Sequence, residues 1–242
     1  MKDENLLDII YEDNQLVVVI KPQNISSQAD KSGEVNMLDL VKDYVKIKYN
    51  KPGEAFIGLV HRLDQPVGGV MAFARNSKSA NRISQQIQNG EFERTYLAVV
   101  QGAPRQNKNR LVNYIKKDTN ENKSKIVPMS EQGAKKAEME YEVLETIDDL
   151  SLLKVKLITG RSHQIRLQLA NIGTPIFGDM KYGLKKSVKD EQKFCNLKTT
   201  ELALWAFELI FKHPTQNKNL KFKVFPPEEK MPWLIFNLGK LK

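Results

Sequence analysis

The sequence predicts an α+β domain in which a mixed, mostly antiparallel sheet is covered by helices. Three observations carry that expectation. Strand-like runs outnumber helical ones, several alternate apolar and polar residues, and the connections between them read as hairpins. At 242 residues with 40% hydrophobic content the chain can bury a proper core, and it shows neither an internal repeat nor a clear linker. One domain over 1–242 is therefore expected.

Leu16 to Ile20 is an apolar, β-branched run closed by Lys21-Pro22, which reads as a short strand with a stop. Gln23 to Val35 is polar and reads as loop. Met37, Leu40, Val41, Tyr44 and Val45 follow a 3.6-residue period behind Asn36, a suitable N-cap, so 37–48 is predicted as an amphipathic helix before the break at Lys51-Pro52-Gly53. A second helix is predicted over 77–89, with Ala80, Ile83 and Ile87 on one face, Ser77 as cap and Gly90 as terminator. Arg94 to Val100 reads as a strand ending at Gly102-Ala103-Pro104.

Residues 105–136 are polar, rich in Lys and Asn and weakly periodic, and are expected to be hairpin loops with one or two short strands. Glu138, Glu140 and Glu142 alternate with Met139, Tyr141 and Val143, the pattern of a half-buried antiparallel strand. Leu152 to Ile158 is another strand, turning at Thr159-Gly160. Ile165, Leu169 and Ile172 have helical spacing, so 161–172 is predicted as a helix with Ser162 as cap and Gly173 as stop. The basic stretch Lys181 to Lys193 reads as exposed loop. Leu202 to Phe211 is apolar on both faces, which leaves its type open. Leu220 to Val224 alternates with lysines and stops at Pro226-Pro227, and a short helix is expected around Trp233 to Leu238.

Composition excludes several classes. No apolar run approaches the ~20 residues of a membrane-spanning helix, and Met1 to Asn5 has no secretory pattern, so a cytoplasmic address is expected. Cys195 is the single cysteine, which rules out an intrachain disulfide, and His61, His163 and His213 have no metal-ligand spacing. The 38 Lys and Arg outnumber the 29 Asp and Glu, giving +9, a balance suited to a polyanionic partner. No serine nucleophile elbow, phosphate-binding Gly-rich loop or dinucleotide fingerprint occurs.

Three segments remain as candidates for chemistry. In Leu59 to Val70, His61-Arg62-Leu63-Asp64 precedes Gln65-Pro66-Val67-Gly68-Gly69, so Asp64 would enter a Pro/Gly turn between apolar runs. A capping Asp in a surface turn is the plain alternative. In Thr159 to Arg166, the side chains of Arg161, His163, Gln164 and Arg166 gather at a predicted helix start, a natural anion site. Arg161 and Arg166 should point apart, so one could meet phosphate and the other a carboxylate; ordinary surface cations are the alternative. Tyr96, in a strand, either packs in the core or stacks on a base.

His61-Arg62-Leu63-Asp64 with Gly68-Gly69, then Arg94-Thr95-Tyr96-Leu97-Ala98, then Gly160-Arg161-Ser162-His163-Gln164-Ile165-Arg166, resemble in order and spacing the signature segments of the RluA-type pseudouridine synthases. Weaker blocks at Asn14 to Pro22, Gly173 to Gly183 and Phe211 to Pro214 extend the resemblance from about Tyr11 to Pro227. It implies the pseudouridine synthase fold with a central RNA-binding cleft, and isomerisation of uridine to pseudouridine in rRNA or tRNA without cofactor or metal. By the same resemblance Asp64 is the catalytic carboxylate, Tyr96 lies against the target base, and Arg166 pairs with the carboxylate. Arg62 helps to displace the flipped nucleotide, while His61, Arg161, His163 and Gln164 are expected to contact RNA, and a monomer is expected. The family commonly has Thr-Ser where this chain has Val67-Gly68, and many members carry an N-terminal S4 domain for which this chain is expected to have no room. A catalytically silent RNA-binding module on the same fold is the alternative, although binding alone needs no carboxylate beside phosphate. A nucleoside hydrolase using Asp would need a water-activating partner, and the sequence offers none.

Overall fold

The computed structural model describes residues 7–29, 33–50, 52–118, 122–183 and 201–241. In chain order the elements are β1 (Asp8–Glu12), β2 (Leu16–Lys21), α1 (Met37–Lys48), β3 (Gly58–Leu59), β4 (Gly68–Ala74), α2 (Ser77–Gln88) and β5 (Glu93–Gln101). There follow β6 (Lys108–Asp118), β7 (Lys123–Ile126), β8 (Lys135–Ile147), β9 (Leu150–Leu157), α3 (Gln164–Asn171), β10 (Leu204–Lys212) and β11 (Asn219–Lys223). Two short 3₁₀ turns, Trp233–Ile235 and Leu238–Leu241, lie where one terminal helix was expected. The chain forms two compact units, Met1–Arg94 with Ala206–Val224 and Thr95–Trp205 with Phe225–Lys242.

In the first unit the strands run β1-β2-β4-β10, with β11 on β10 and β3 on β4; β1–β2, β2–β4, β3–β4 and β10–β11 pair antiparallel. Leu16 to Val19 and Val70 to Ala74 are fully buried, so both faces of β2 and β4 are covered, as their unbroken apolar runs require. Helix α1 buries Met37, Val41 and Val45 on one stripe, and Asn36 caps it by accepting from the Asp39 amide at 3.1 Å. Helix α2 is capped by Asn76, not Ser77: the Asn76 side chain accepts from the Ser79 amide at 2.8 Å, and asparagine reaches that donor from one residue earlier.

The glycine pair also departs from expectation. Gly68 and Gly69 lie inside β4, and the turn itself is Asp64 to Val67, closed by the Val67 amide on the Asp64 carbonyl at 3.0 Å. Gly69 has φ +120, and a Cβ there would sit 2.2 Å from the Ala206 carbonyl oxygen. The glycine therefore permits backbone contact with β10, a packing demand that a sequence reading assigns to turn-making.

The second unit has the strand order β5-β9-β8-β6-β7. Its outer face is a charge ladder across three antiparallel strands. Glu142 lies between Lys108 and Lys154, and Glu140 between Arg110 and Lys156. Glu138 accepts from Lys136 and Arg110, whose bonds hold its carboxyl below the usual range. On the inner face Ala137, Met139, Tyr141, Leu153 and Val155 are buried, as the alternation predicts. Strand β6 runs eleven residues where only short strands were expected. Its inward positions carry few large apolar groups, Leu111 and Ile115 with Asn113 between them, so periodicity is faint. Gln168 of α3 completes that face by donating to Asn113 Oδ1 at 2.7 Å and the Leu111 carbonyl at 3.3 Å. Helix α3 itself begins three residues later than predicted. The basic stretch from 184 to 193 and Cys195 lie outside the described residues.

What fixes the Asp64 turn is a set of side chains from 21–27. Ser27 Oγ donates to the Leu63 carbonyl at 2.7 Å and accepts from the Leu63 amide at 3.0 Å. Gln23 donates to the Pro66 carbonyl at 3.1 Å. Lys21 is fully buried, and its Nζ donates to the carbonyls of Pro22 (2.9 Å), Ile25 (2.6 Å) and Gln65 (3.0 Å). Burial pushes the Lys21 pKa down to about 7, against the opposing attraction of the Asp64 carboxylate. Removing the ammonium strands three carbonyls at once. Lys21→Met is therefore expected to lower the unfolding free energy by about 2–3 kcal/mol, read from urea denaturation. A loss under about 0.5 kcal/mol, the scale of an ordinary surface change, would show that the three bonds are not holding the turn.

Candidate active site

In the first unit the segment His61 to Asp64 links β3 to the turn before β4, and burial alternates along it. His61 and Leu63 are buried, Arg62 is exposed, and Asp64 is half-buried at the start of its turn. The three tethers from 21–27 grip the backbone on either side of Asp64, at residues 63, 65 and 66, and leave the carboxylate beside the Lys21 ammonium. Asp64 is thus mounted on a fixed backbone, within electrostatic reach of Lys21.

His61, expected to contact RNA, is turned inward. Its Nε2 accepts from the Ala72 amide of β4 at 3.0 Å, and its ring packs against Phe92 at 5.3 Å. Burial first, and then the neighbouring Arg94 charge, push its pKa down to about 3, so the ring is neutral with the proton on Nδ1. The side chain thus fastens the segment to β4 while its neighbours Arg62 and Asp64 face outward.

In the second unit the Gly160 to Arg166 segment divides into scaffold and presented groups. Gln164 is buried and ties three stretches of chain together: it accepts from Thr159 Oγ1 at 2.8 Å and the Arg161 amide at 3.0 Å, and donates to the Glu138 carbonyl at 3.0 Å. Arg161 is exposed, with Nε on the Lys136 carbonyl at 2.8 Å. His163, not Ser162, is the residue before α3, in the left-handed region at φ +54; Ser162 instead lends its carbonyl to Ser124. The His163 Nδ1 lies 2.8 Å from Tyr182 Oη.

Arg166 is buried. Its Nε and Nη2 donate to Asp179 Oδ2 and Oδ1 at 2.8 and 2.7 Å, a fork-to-fork pair, and its guanidinium lies under the Tyr182 ring at 5.3 Å. Asp179 accepts two further amides, from Lys181 (2.9 Å) and Tyr182 (3.0 Å). Burial alone would raise the Asp179 pKa; the Arg166 bonds and charge outweigh it and hold the carboxyl below the usual range. Tyr96 is buried in the middle of β5.

Asp64, Arg62 and His61 thus stand in the first unit with Lys21, and Arg166, Arg161, His163, Gln164 and Tyr96 in the second with Asp179. Lys21, Ser27, Asp179 and Tyr182 were not singled out by the sequence. A lysine continuing a fully apolar strand is the one signal that could have drawn attention to Lys21, because lysine is almost never fully buried without partners. Among the described residues no group of His, Cys, Asp and Glu is arranged to hold a metal ion, and no helix is long and apolar enough to cross a membrane.

Comparison with known proteins agrees on one family. The family model described as RNA pseudouridylate synthase matches residues 15–171. An uncharacterised RNA pseudouridine synthase of Aquifex aeolicus is 32% identical over 94% of this chain and 72% of its own length. The uncharacterised RNA pseudouridine synthase YlyB of Bacillus subtilis is 31% identical over 97% and 73%. The ribosomal large subunit pseudouridine synthase C of Pasteurella multocida is 30% identical over 92% of this chain and 65% of its own. Among solved structures, human RNA pseudouridylate synthase domain containing 4 shares the fold, with a TM-score of 0.74 at 24% identity over 91% of this chain and 88% of that one. The matched span and the relatives, together with the shared fold, place this chain in the RluA-type family of RNA pseudouridine synthases.

Proposed function

We propose that this chain acts as one catalytic domain that isomerises uridine to pseudouridine in structured ribosomal or transfer RNA, without a cofactor, using Asp64 as the catalytic carboxylate. The observation that carries the reading is the mount of Asp64: three side chains from 21–27 hold the backbone on both sides of a half-buried carboxylate. A capping Asp would need no such scaffold. The ribosomal name of the Pasteurella relative favours rRNA.

The chemistry asks for what these residues offer. Uracil must leave C1′ and rejoin through C5, and a carboxylate assists only while ionised, which a nearby cation favours. Lys21 and, in the role that the family resemblance gives it, Arg166 are the cations for that task. A paired uridine is out of reach, so it must be flipped, at a cost of a few kcal/mol that backbone contacts offset. Arg62, exposed next to the fixed Leu63, suits the vacated position, and Tyr96 offers a ring for the flipped base. Arg161 and the exposed lysines of β6 and β7 (Lys117, Lys123 and Lys125) suit phosphate. Excluding water during transfer keeps the detached base in place.

Purified protein is expected to form pseudouridine in total RNA from a strain lacking it, with Asp64→Asn reducing product to background and leaving the Kd for RNA within about threefold, under 1 kcal/mol. Wild-type protein that binds this RNA without turnover would be the silent binding module instead. In the second test, Lys117, Lys123 and Lys125 are replaced together by Gln. The slope of log K against log salt is expected to flatten by up to about 0.9 for each phosphate that these lysines neutralise. An unchanged slope would remove them from the RNA footprint.

A further inference from the structure

We propose that Asp179, seconded by Tyr182, is a positioning residue of this enzyme: it fixes the orientation in which Arg166 acts. The inference rests on the reading of Arg166 given above and goes beyond it by assigning the part of the chain that aims the guanidinium.

An arginine can rotate about several bonds, and holding it in one pose needs more than one contact to the guanidinium. Asp179 takes one edge through two parallel bonds, at 2.8 Å to Nε and 2.7 Å to Nη2. The guanidinium carbon lies over the Tyr182 ring, 5.3 Å from its centre. A guanidinium is planar and rigid, so fixing that edge by two parallel bonds, with the tyrosine ring packed beside it, also fixes the direction of the opposite, Nη1 edge. The clamp is itself rigidly built. Asp179 is held by the amides of Lys181 and Tyr182, its own amide donates to the Ile176 carbonyl at 3.1 Å, and its carbonyl accepts from the Gly183 amide at 2.8 Å. Gly178 has φ +76, and a Cβ there would meet the Glu201 carbonyl oxygen at 2.2 Å; one on Gly183 would meet the Asp179 carbonyl at 2.3 Å. Tyr182 Oη is fixed in turn by the Ser124 amide at 2.7 Å and His163 Nδ1 at 2.8 Å. A bond pattern serving only to bury Arg166 would need no anchoring of the tyrosine to β7 and to the residue preceding α3.

The test compares Asp179→Asn, Tyr182→Phe and Arg166→Met in the full chain, with turnover and RNA affinity measured separately. Asp179→Asn keeps the shape and the two amide contacts but gives up one of the paired charge-assisted bonds. Its kcat is expected to fall about 10- to 100-fold, the scale of a small misplacement at a reacting centre, with KM for RNA within about threefold. Tyr182→Phe keeps the ring and loses the anchor, and is expected to lose about 3- to 10-fold in kcat by the same misplacement. In the Arg166→Met background neither change should cost anything further, because there is nothing left to aim. Full kcat in Tyr182→Phe and in whatever Asp179→Asn folds would overturn the inference while leaving Arg166 in place. So would losses that add to that of Arg166→Met. An Arg166→Met variant with wild-type turnover would instead remove the reading on which the inference rests.

Discussion

A single buried ammonium underlies the candidate site. Lys21 is shut away from solvent, which pulls its pKa down to about 7, and the chain offsets that burial with three carbonyl acceptors and the attraction of the Asp64 carboxylate. Two of those carbonyls, of Pro22 and Ile25, belong to its own loop; the third belongs to Gln65, the residue after Asp64. The cost of burying the charge is thereby converted into a link between the end of β2 and the Asp64 turn. Pro22 has a part in this, since it ends β2 and sends the chain round towards the ammonium. Ser27 and Gln23 then hold Leu63 and Pro66, and the whole turn is specified by polar contacts around an apolar frame.

A second buried cation is treated in the same way in the second unit. Arg166 is buried and is matched by a buried carboxylate with two amides of its own, so neither ion lacks hydrogen bonds. Pairing of this kind contributes little net stability compared with an apolar replacement. Its effect is to define direction, because a fork-to-fork arginine pair tolerates little rotation. Both units therefore use a buried ion for geometry, while bulk stability comes from the apolar strands β2, β4, β9 and β10.

Much of this was legible in the sequence wherever periodicity was strong. The α1 helix with its Asn36 cap, the alternating Glu138 to Val143 strand and the lysine-flanked β11 all follow from side chains that alternate regularly between apolar and charged. Legibility fails where tertiary contacts replace that division. β6 carries Asn113 inward, and the missing apolar group is made good by Gln168 from α3, more than fifty residues away. β1, an edge strand of five residues, has too few positions to show a period. Gly69 looks like a turn residue and is a packing residue, because the constraint on it comes from Ala206.

The candidate site shows the same boundary between local and distant information. Asp64 and Arg62 stand out locally, as charges set among apolar neighbours and a turn. His61 is adjacent to them, yet its ring answers to the Ala72 amide and Phe92, and no local pattern distinguishes a histidine that faces RNA from one that holds a strand. The difference shows in burial, which alternates along the segment: His61 and Leu63 are buried, Arg62 is exposed and Asp64 half-buried. That alternation becomes readable only once Leu63 is known to be buried, which the order of the residues alone does not supply. It assigns to His61 and Leu63 the work of anchoring and leaves Arg62 and Asp64 as the charged pair nearer to solvent.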